Sequence, residues 1–94
     1  MKLTFIITPG HGYLKVSLSQ FRKSGMDANL ISGYSGMTNT NLFLEEDCDA
    51  PLFLRHLENL DIPYEITDTH QTRVTSHNFE SNVVNQYYWT NNKN

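Results

Sequence analysis

The sequence has few of the features that indicate a secreted or membrane protein. Its 94 residues include one cysteine, Cys48, so no disulfide can form within the chain and a reducing cytoplasm is the expected compartment. The longest apolar run near the start, residues 3–7, is broken by Thr4 and followed by Pro9, and it is far too short to span a bilayer. We therefore expect a cytoplasmic protein that is held together by packing and has no membrane role.

Known cofactor and metal motifs are also missing. The sequence has no glycine-rich phosphate loop and no H-E-x-x-H pair. A calcium loop needs oxygen ligands spread over about twelve residues and a glycine at its sharp turn, whereas the acidic residues 45–49 continue as Ala50 and Pro51. Zinc requires paired ligand spacing, which the histidines lack: His11, His56, His70 and His77. We predict no cofactor, no metal, no catalytic residue and hence no enzyme.

Basic residues are scarce and the charges are unevenly distributed. Seven Lys and Arg face ten Asp and Glu, for a net charge of −3. Residues 45–68 hold eight of the acids and a single base, Arg55, for a charge of −7, while the remainder has six bases and two acids, or +4. Such an asymmetry sets the field that an approaching molecule meets. The acidic segment should repel nucleic acid directly and attract a basic protein.

The apolar pattern predicts an α+β domain with a small, mostly antiparallel sheet. Short runs rich in β-branched and aromatic residues, bounded by turn residues, predict four strands. The expected element order is β-β-α-β-α-β. The predicted strands cover residues 2–8, 12–16, 41–45 and 64–68.

Two helices complete the predicted domain. Ser17 is a suitable N-cap for a short helix that ends at Gly25. The main helix should cover residues 50–60 and pack on one face of the sheet, because its apolar side chains recur at helical spacing: Phe53, Leu57 and Leu60.

Two segments lack a clear periodic pattern. Residues 26–41 read as a long loop, where Tyr34 and Met37 are candidate contacts and Leu30 and Ile31 could attach the loop to the core. Residues 73–94 are rich in asparagine, and we interpret them as a C-terminal extension from a compact domain of residues 1–72. Phe79, Val83 and Tyr87 are spaced by four, which favours a short helix there, with Asn78 as its cap.

The acidic run at residues 45–49 has several interpretations. Asp49 at an N-cap would accept backbone N–H groups at a helix start, and its neighbours would gain from the helix dipole. Capping requires one or two acids, so the others form either a solvated face or a binding surface.

Cys48 lies among carboxylates, which favour the protonated thiol, so a buried packing cysteine is preferred to a nucleophile. His11, in a turn, could carry a proton.

These considerations define a predicted partner-binding surface. Its members share exposure in the expected fold and, except for one tyrosine, negative charge. They are Glu45, Glu46, Asp47, Asp49, Glu58, Asp61, Glu65, Asp68 and Tyr34.

Three segments resemble a set of small uncharacterised proteins of bacteriophages and plasmids. They are PGHGYLKV at residues 9–16, with its HGYLxV motif, Ile31-Ser32 with Tyr34-Ser35, and LEEDCDA at residues 44–50. The resemblance extends over about residues 3–68 and brings no catalytic motif. It implies a setting in the host bacterial cytoplasm, where small acidic phage and plasmid proteins often block host proteins, including nucleic-acid-binding defence complexes with basic surfaces. This is an analogy between settings and does not depend on the fold.

Three functions remain open from the sequence. The first is a binding protein without catalysis that docks on a basic host protein and inhibits a bacterial defence system, in the manner of an anti-CRISPR. The second is a small enzyme or metal-dependent module using His11, Cys48 and nearby carboxylates. The third is a self-associating structural protein with an interface at the Tyr34 loop or the Trp89 tail.

Overall fold

Residues 1–92 fold as an α+β protein with one mixed six-stranded sheet and three α-helices. It is described here by a computed structural model, which defines the backbone of residues 1–92 and the side chains of residues 1–86. The predicted fold class is therefore confirmed, although the chain contains more elements than the expected order.

The sheet is mostly antiparallel, as predicted. Its strands are β1 Lys2–Ile7, β2 Gly12–Ser17, β3 Gly36–Met37, β4 Asn41–Glu45, β5 Glu65–His70 and β6 His77–Asn78, in the spatial order β5-β1-β2-β4-β3-β6. The pair β1–β5 is parallel, and the other pairs are antiparallel. The parallel pair arises because the chain returns to the outer side of β1 after the main helix.

The first of the three helices begins and ends at the capping residues that the sequence predicted. They are α1 Leu18–Ser24, α2 Asp49–Asn59 and α3 Ser81–Asn92, with a 3-10 helix at Ala28–Leu30. Ser17 forms a capping box with Gln20 at the start of α1, and Gly25 ends that helix in the left-handed conformation at φ 71°. The caps predicted for α1 are thus confirmed, and α2 starts one residue before the predicted helix.

The core lies on one face of the sheet, beneath α1 and α2. The strand register places Leu14 opposite Leu44 and Val16 opposite Leu42, and all four side chains are fully buried. The rings of Phe21 in α1 and Phe53 in α2 stack above the sheet with centroids 5.7 Å apart. Removing such side chains from water stabilises the fold by about 2 kcal/mol each.

The segment predicted as a long loop contains regular structure. Besides the 3-10 helix, it contributes β3, where Gly36 pairs with Phe43 and Met37 with Leu42. Ile31 is buried in the core as predicted, whereas Leu30 is 58% exposed. Met37 is also buried in the core, so the prediction that it is a surface contact is wrong. A strand of two residues is too short to show an alternating pattern, which is why the sequence did not reveal it.

The C-terminal helix exists, but its predicted cap and apolar face are wrong. Asn78 is paired with Gly36 in β6, so it cannot cap a helix that begins at Ser81. Phe79 precedes the helix, and Val84 rather than Val83 enters the core. The side chains from residue 87 onward, which include Tyr87 and Trp89, lie outside the described part of the chain.

Candidate functional site

Three turns meet at one end of the sheet and enclose a cleft. Because β1 and β2 form a hairpin and Tyr13 of β2 lies opposite Glu45 of β4, the β1–β2 turn and the β4–α2 turn are neighbours. The turn before β3 lies beside them. The cleft has a volume of about 310 Å³, and its lining residues are His11, Tyr13, Tyr34, Glu45, Asp47 and Cys48.

The β1–β2 turn is held in place by a side chain at its start. The Thr8 hydroxyl donates to the carbonyl of His11 at 2.7 Å and accepts the His11 N–H at 3.1 Å. The His11 ring lies 6.3 Å from the Tyr13 ring, tilted by 56°. Both rings are therefore presented on the same side of the turn, at the wall of the cleft.

The β4–α2 turn is organised by Glu45 rather than by Asp49. One carboxylate oxygen of Glu45 accepts the N–H groups of Asp47 at 3.0 Å and Cys48 at 2.9 Å. Cys48 occupies the N-cap of α2 and makes no capping bond with its side chain. The prediction that Asp49 is the N-cap is therefore wrong, because Asp49 is already the first helical residue.

Asp49 instead anchors the turn that carries Tyr34. Its carboxylate is 2% exposed and accepts the Ser32 N–H at 3.1 Å, the Ser32 hydroxyl at 2.7 Å and the Ser35 hydroxyl at 2.5 Å. The Ser35 hydroxyl in turn accepts the Glu45 N–H at 2.9 Å. These bonds join the turn to both β4 and α2 and leave Tyr34 75% exposed beside the cleft.

Cys48 is exposed, so the expectation of a buried packing cysteine is wrong. Partial desolvation, a hydrogen bond to Glu45 and the charges of Glu45, Asp49 and Asp47 all raise the pKa of the Cys48 thiol above its ordinary value. The thiol is thus protonated at neutral pH. This protonation state opposes a role as nucleophile, although His11 lines the same cleft.

Carboxylates that could hold a metal ion occur in the same turn. Ligand oxygens of Glu45, Glu46 and Asp47 lie within 4.8 Å of one another, the single such group found among the described residues. One oxygen of Glu45 is already bonded to two backbone N–H groups, which gives that side chain a structural role in the turn.

The predicted binding residues do not form one continuous surface. Tyr34, Glu45 and Asp47 line the cleft, whereas Asp49 is buried and unable to contact a partner. A carboxylate oxygen of Glu46 lies within 4.8 Å of those of Glu45 and Asp47, but Glu46 lines a neighbouring recess. The other acids lie elsewhere: Glu58 is in the last turn of α2, Asp61 follows that helix, and Glu65 and Asp68 lie on β5. The length of α2, about 16 Å, separates the first pair from the cleft.

Tyr13 is a lining residue that the sequence analysis did not select. Its position opposite Glu45 depends on the pairing of β2 with β4, whose register no local pattern reveals. His11 and Cys48, which were considered for chemistry, both line the cleft.

Comparisons with protein-family models, with curated proteins and with solved structures found no match for this chain. Among the described residues, the helices are too short or too polar for any of them to cross a membrane. The functional interpretation therefore rests on the geometry of the cleft and its surroundings.

Proposed function

We propose that this protein binds a basic surface of another protein, without catalysis, and that the cleft at the end of the sheet is the main contact. The observation that supports the proposal is that an exposed tyrosine, a half-buried tyrosine and two carboxylates line one cleft: Tyr34, Tyr13, Glu45 and Asp47. Lysine and arginine side chains are attracted both to ring faces and to carboxylates. A lysine or arginine side chain of the partner could therefore contact both the tyrosine rings and the carboxylates of the cleft.

The arrangement also suits the energetics of protein recognition. The serine network of Asp49 holds the Tyr34 turn in place before binding, which lowers the ordering cost of association. Exposed tyrosines are frequent anchors in interfaces. The surrounding negative charge would increase the rate of encounter with a positively charged partner and help to orient it.

The biological part of the proposal comes from the sequence resemblance. We propose that the partner is a host protein in the bacterial cytoplasm, in particular a nucleic-acid-binding defence complex, and that this protein inhibits it for a phage or plasmid. Complexes that handle nucleic acid carry basic surfaces, which an acidic protein can occupy in place of the nucleic acid.

Two other functions are less well supported. An enzyme using His11 and Cys48 would require activation of a thiol whose pKa is raised by its surroundings. Self-association through Tyr34 would bring the acidic turns of two copies together, because Tyr34 and Asp47 line the same cleft. Like charges close together disfavour that arrangement.

Affinity capture from bacterial lysate, followed by mass spectrometry, tests the proposal. The test variant is Glu46→Gln with Asp47→Asn beside the cleft, and the control is Glu58→Gln with Asp61→Asn at the far end of α2. Each double variant raises the net charge from −3 to −1. We expect a basic partner whose affinity falls at least tenfold for the test variant and less than about twofold for the control.

The binding measurement should be repeated with Tyr34→Ala, which removes a cleft wall without changing charge. Equal affinity of wild type, the cleft double variant and Tyr34→Ala for the captured partner would contradict the proposal. So would a captured partner that is acidic.

A further inference from the structure

The strand β5 forms an open edge of the sheet. It pairs with β1 on one side, and the described part of the chain places no strand on its other side. All of its residues except Thr69 are exposed. The opposite edge, β6, has two residues, so β5 is the edge with a long row of free backbone groups.

The direction of these backbone groups follows from the pairing with β1. The Glu65 N–H donates to the carbonyl of Met1 at 2.9 Å, and the Gln71 N–H donates to the carbonyl of Ile7 at 3.0 Å. Backbone groups point to alternate sides along a strand, so the odd-numbered residues of β5 face β1. The N–H and C=O groups of Ile66, Asp68 and His70 therefore point away from the sheet.

An open recess lies where β5 ends. It has a volume of about 450 Å³ and is lined by the residues at the ends of the two parallel strands and in the turns that follow: Ile7, Thr8, Pro9, His70, Gln71 and Thr72. Because His70, Gln71 and Thr72 line the recess, an extended chain that pairs with β5 and continues past His70 could place a side chain there. Ile7 and Pro9 offer that side chain an apolar wall.

The charges of β5 indicate the composition of such a chain. Glu65 and Asp68 are exposed, and β5 contains no lysine or arginine. Pairing with β5 of a second copy, centred on Asp68, would place two Asp68 carboxylates opposite each other, and like charges in that position destabilise a strand pair. A strand with lysine or arginine near these positions would gain from the same arrangement.

We propose that β5 receives an extended, basic segment of a partner protein as an additional strand, with an apolar side chain of that segment in the recess. Main-chain hydrogen bonds to Ile66, Asp68 and His70 supply part of the affinity, and the carboxylate of Asp68 selects for basic residues on its face of the strand. This contact goes beyond the cleft, because the two surfaces are separate and either can bind when the other does not.

Amide hydrogen exchange, measured by NMR on the full chain, tests the proposal with a defined probe. The probe is an N-acetylated peptide of nine residues in which lysine alternates with valine and the last residue is leucine. At saturation we expect at least tenfold slower exchange at the outward amides of Ile66, Asp68 and His70. The amides of Thr67 and Thr69 already bond to β1 and should change little.

A pair of variants separates the backbone contact from the charge. Asp68→Pro removes the charge and the outward N–H but leaves the inward N–H groups of Thr67 and Thr69, and proline is tolerated at such an edge position. Asp68→Asn removes the charge alone. We expect Asp68→Pro to lose at least tenfold more affinity for the peptide than Asp68→Asn, with both variants as stable to urea as wild type.

Four results would overturn the proposal. The first is the absence of any slowing of exchange at the outward amides at up to about 1 mM peptide. The second is equal affinity of the two Asp68 variants when both are folded. The third is equal binding of a peptide with glutamate in place of lysine. The fourth is a dimer in light scattering with these amides protected before peptide is added, which would assign the edge to a second copy of this chain. If Asp68→Pro unfolds, the proposal is tested by the amide hydrogen exchange of the wild-type protein with and without peptide.

Discussion

Asp49 illustrates how one side chain can support a binding surface that it does not touch. Its buried carboxylate accepts three hydrogen bonds from Ser32 and Ser35, and Ser35 also accepts the N–H of Glu45. A buried carboxylate is tolerated only when its lone pairs are satisfied in this way. Asp49 therefore belongs to the framework of the cleft, whereas its neighbours Asp47 and Glu46 are exposed.

Replacing Asp49 with alanine should destabilise the protein. The change leaves the Ser32 and Ser35 hydroxyls and the Ser32 N–H without their acceptor, and we expect the free energy of unfolding to fall by about 2–4 kcal/mol. Urea denaturation measures this change. Asp47→Ala is the control, because its exposed side chain should cost less than about 0.5 kcal/mol. Equal stability of the two variants would show that the Asp49 network is not formed.

At the scale of single elements, the β1–β2 hairpin requires close packing at Gly12. A Cβ atom at this position would lie 2.5 Å from the Phe5 ring and 2.7 Å from the Glu46 carboxylate. Glycine is therefore required by space rather than by its backbone conformation. The same close approach brings β1, β2 and the acidic turn together at a second recess, which Phe5, Gly12 and Glu46 help to line.

Gly12→Ala should accordingly destabilise the hairpin and the protein. Overpacking of this kind costs about 1–3 kcal/mol in the free energy of unfolding, which thermal or urea denaturation would measure. The matched control is Gly10→Ala in the same turn, where an added Cβ meets no atom within 4 Å and the change should be under about 0.5 kcal/mol. A larger loss for Gly10→Ala than for Gly12→Ala would contradict this account of the turn.

At the scale of the whole molecule, the C-terminal segment takes part in the core. Phe79 and Val84 belong to the same buried cluster as Leu14 and Phe53, although they follow the predicted boundary at residue 72. β6 also closes one side of the sheet by pairing with β3. The segment is thus packed against the elements that support the turn of Tyr34.

A comparison of adjacent valines in α3 tests whether the whole chain unfolds as one unit. Val84 is fully buried and Val83 is 37% exposed. We expect Val84→Ala to lower the free energy of unfolding by about 1–3 kcal/mol and Val83→Ala to change it by less than about 0.5 kcal/mol. Chemical denaturation monitored by far-UV circular dichroism provides both values. If Val84→Ala has no effect, residues 73–94 do not contribute to the core and are an extension from the compact domain, as the sequence predicted.

The elements that the sequence predicted well are those with strong local signals. The strand β2, the N-cap at Ser17 and the buried positions Phe53 and Leu57 of α2 each arise from residues close together in the chain, whereas Leu60, predicted for the same face, follows the helix and is 54% exposed. Such patterns can be recognised in the sequence because local backbone geometry determines which side chains share a face of a helix or strand. The fold class and the main helix follow from them.

The cleft depends on contacts between distant segments, which local patterns do not encode. Ser32 and Asp49 are 17 residues apart, and Tyr13 reaches Glu45 only through the register of β2 with β4. The same holds for β3 and β6, which have two residues each: β3 is a strand because it pairs with the longer β4, and β6 is a strand because it pairs with β3. Composition placed negative charge in residues 45–68, but the packing of the chain buried Asp49, exposed Cys48 and gathered the remaining acids into separate surfaces.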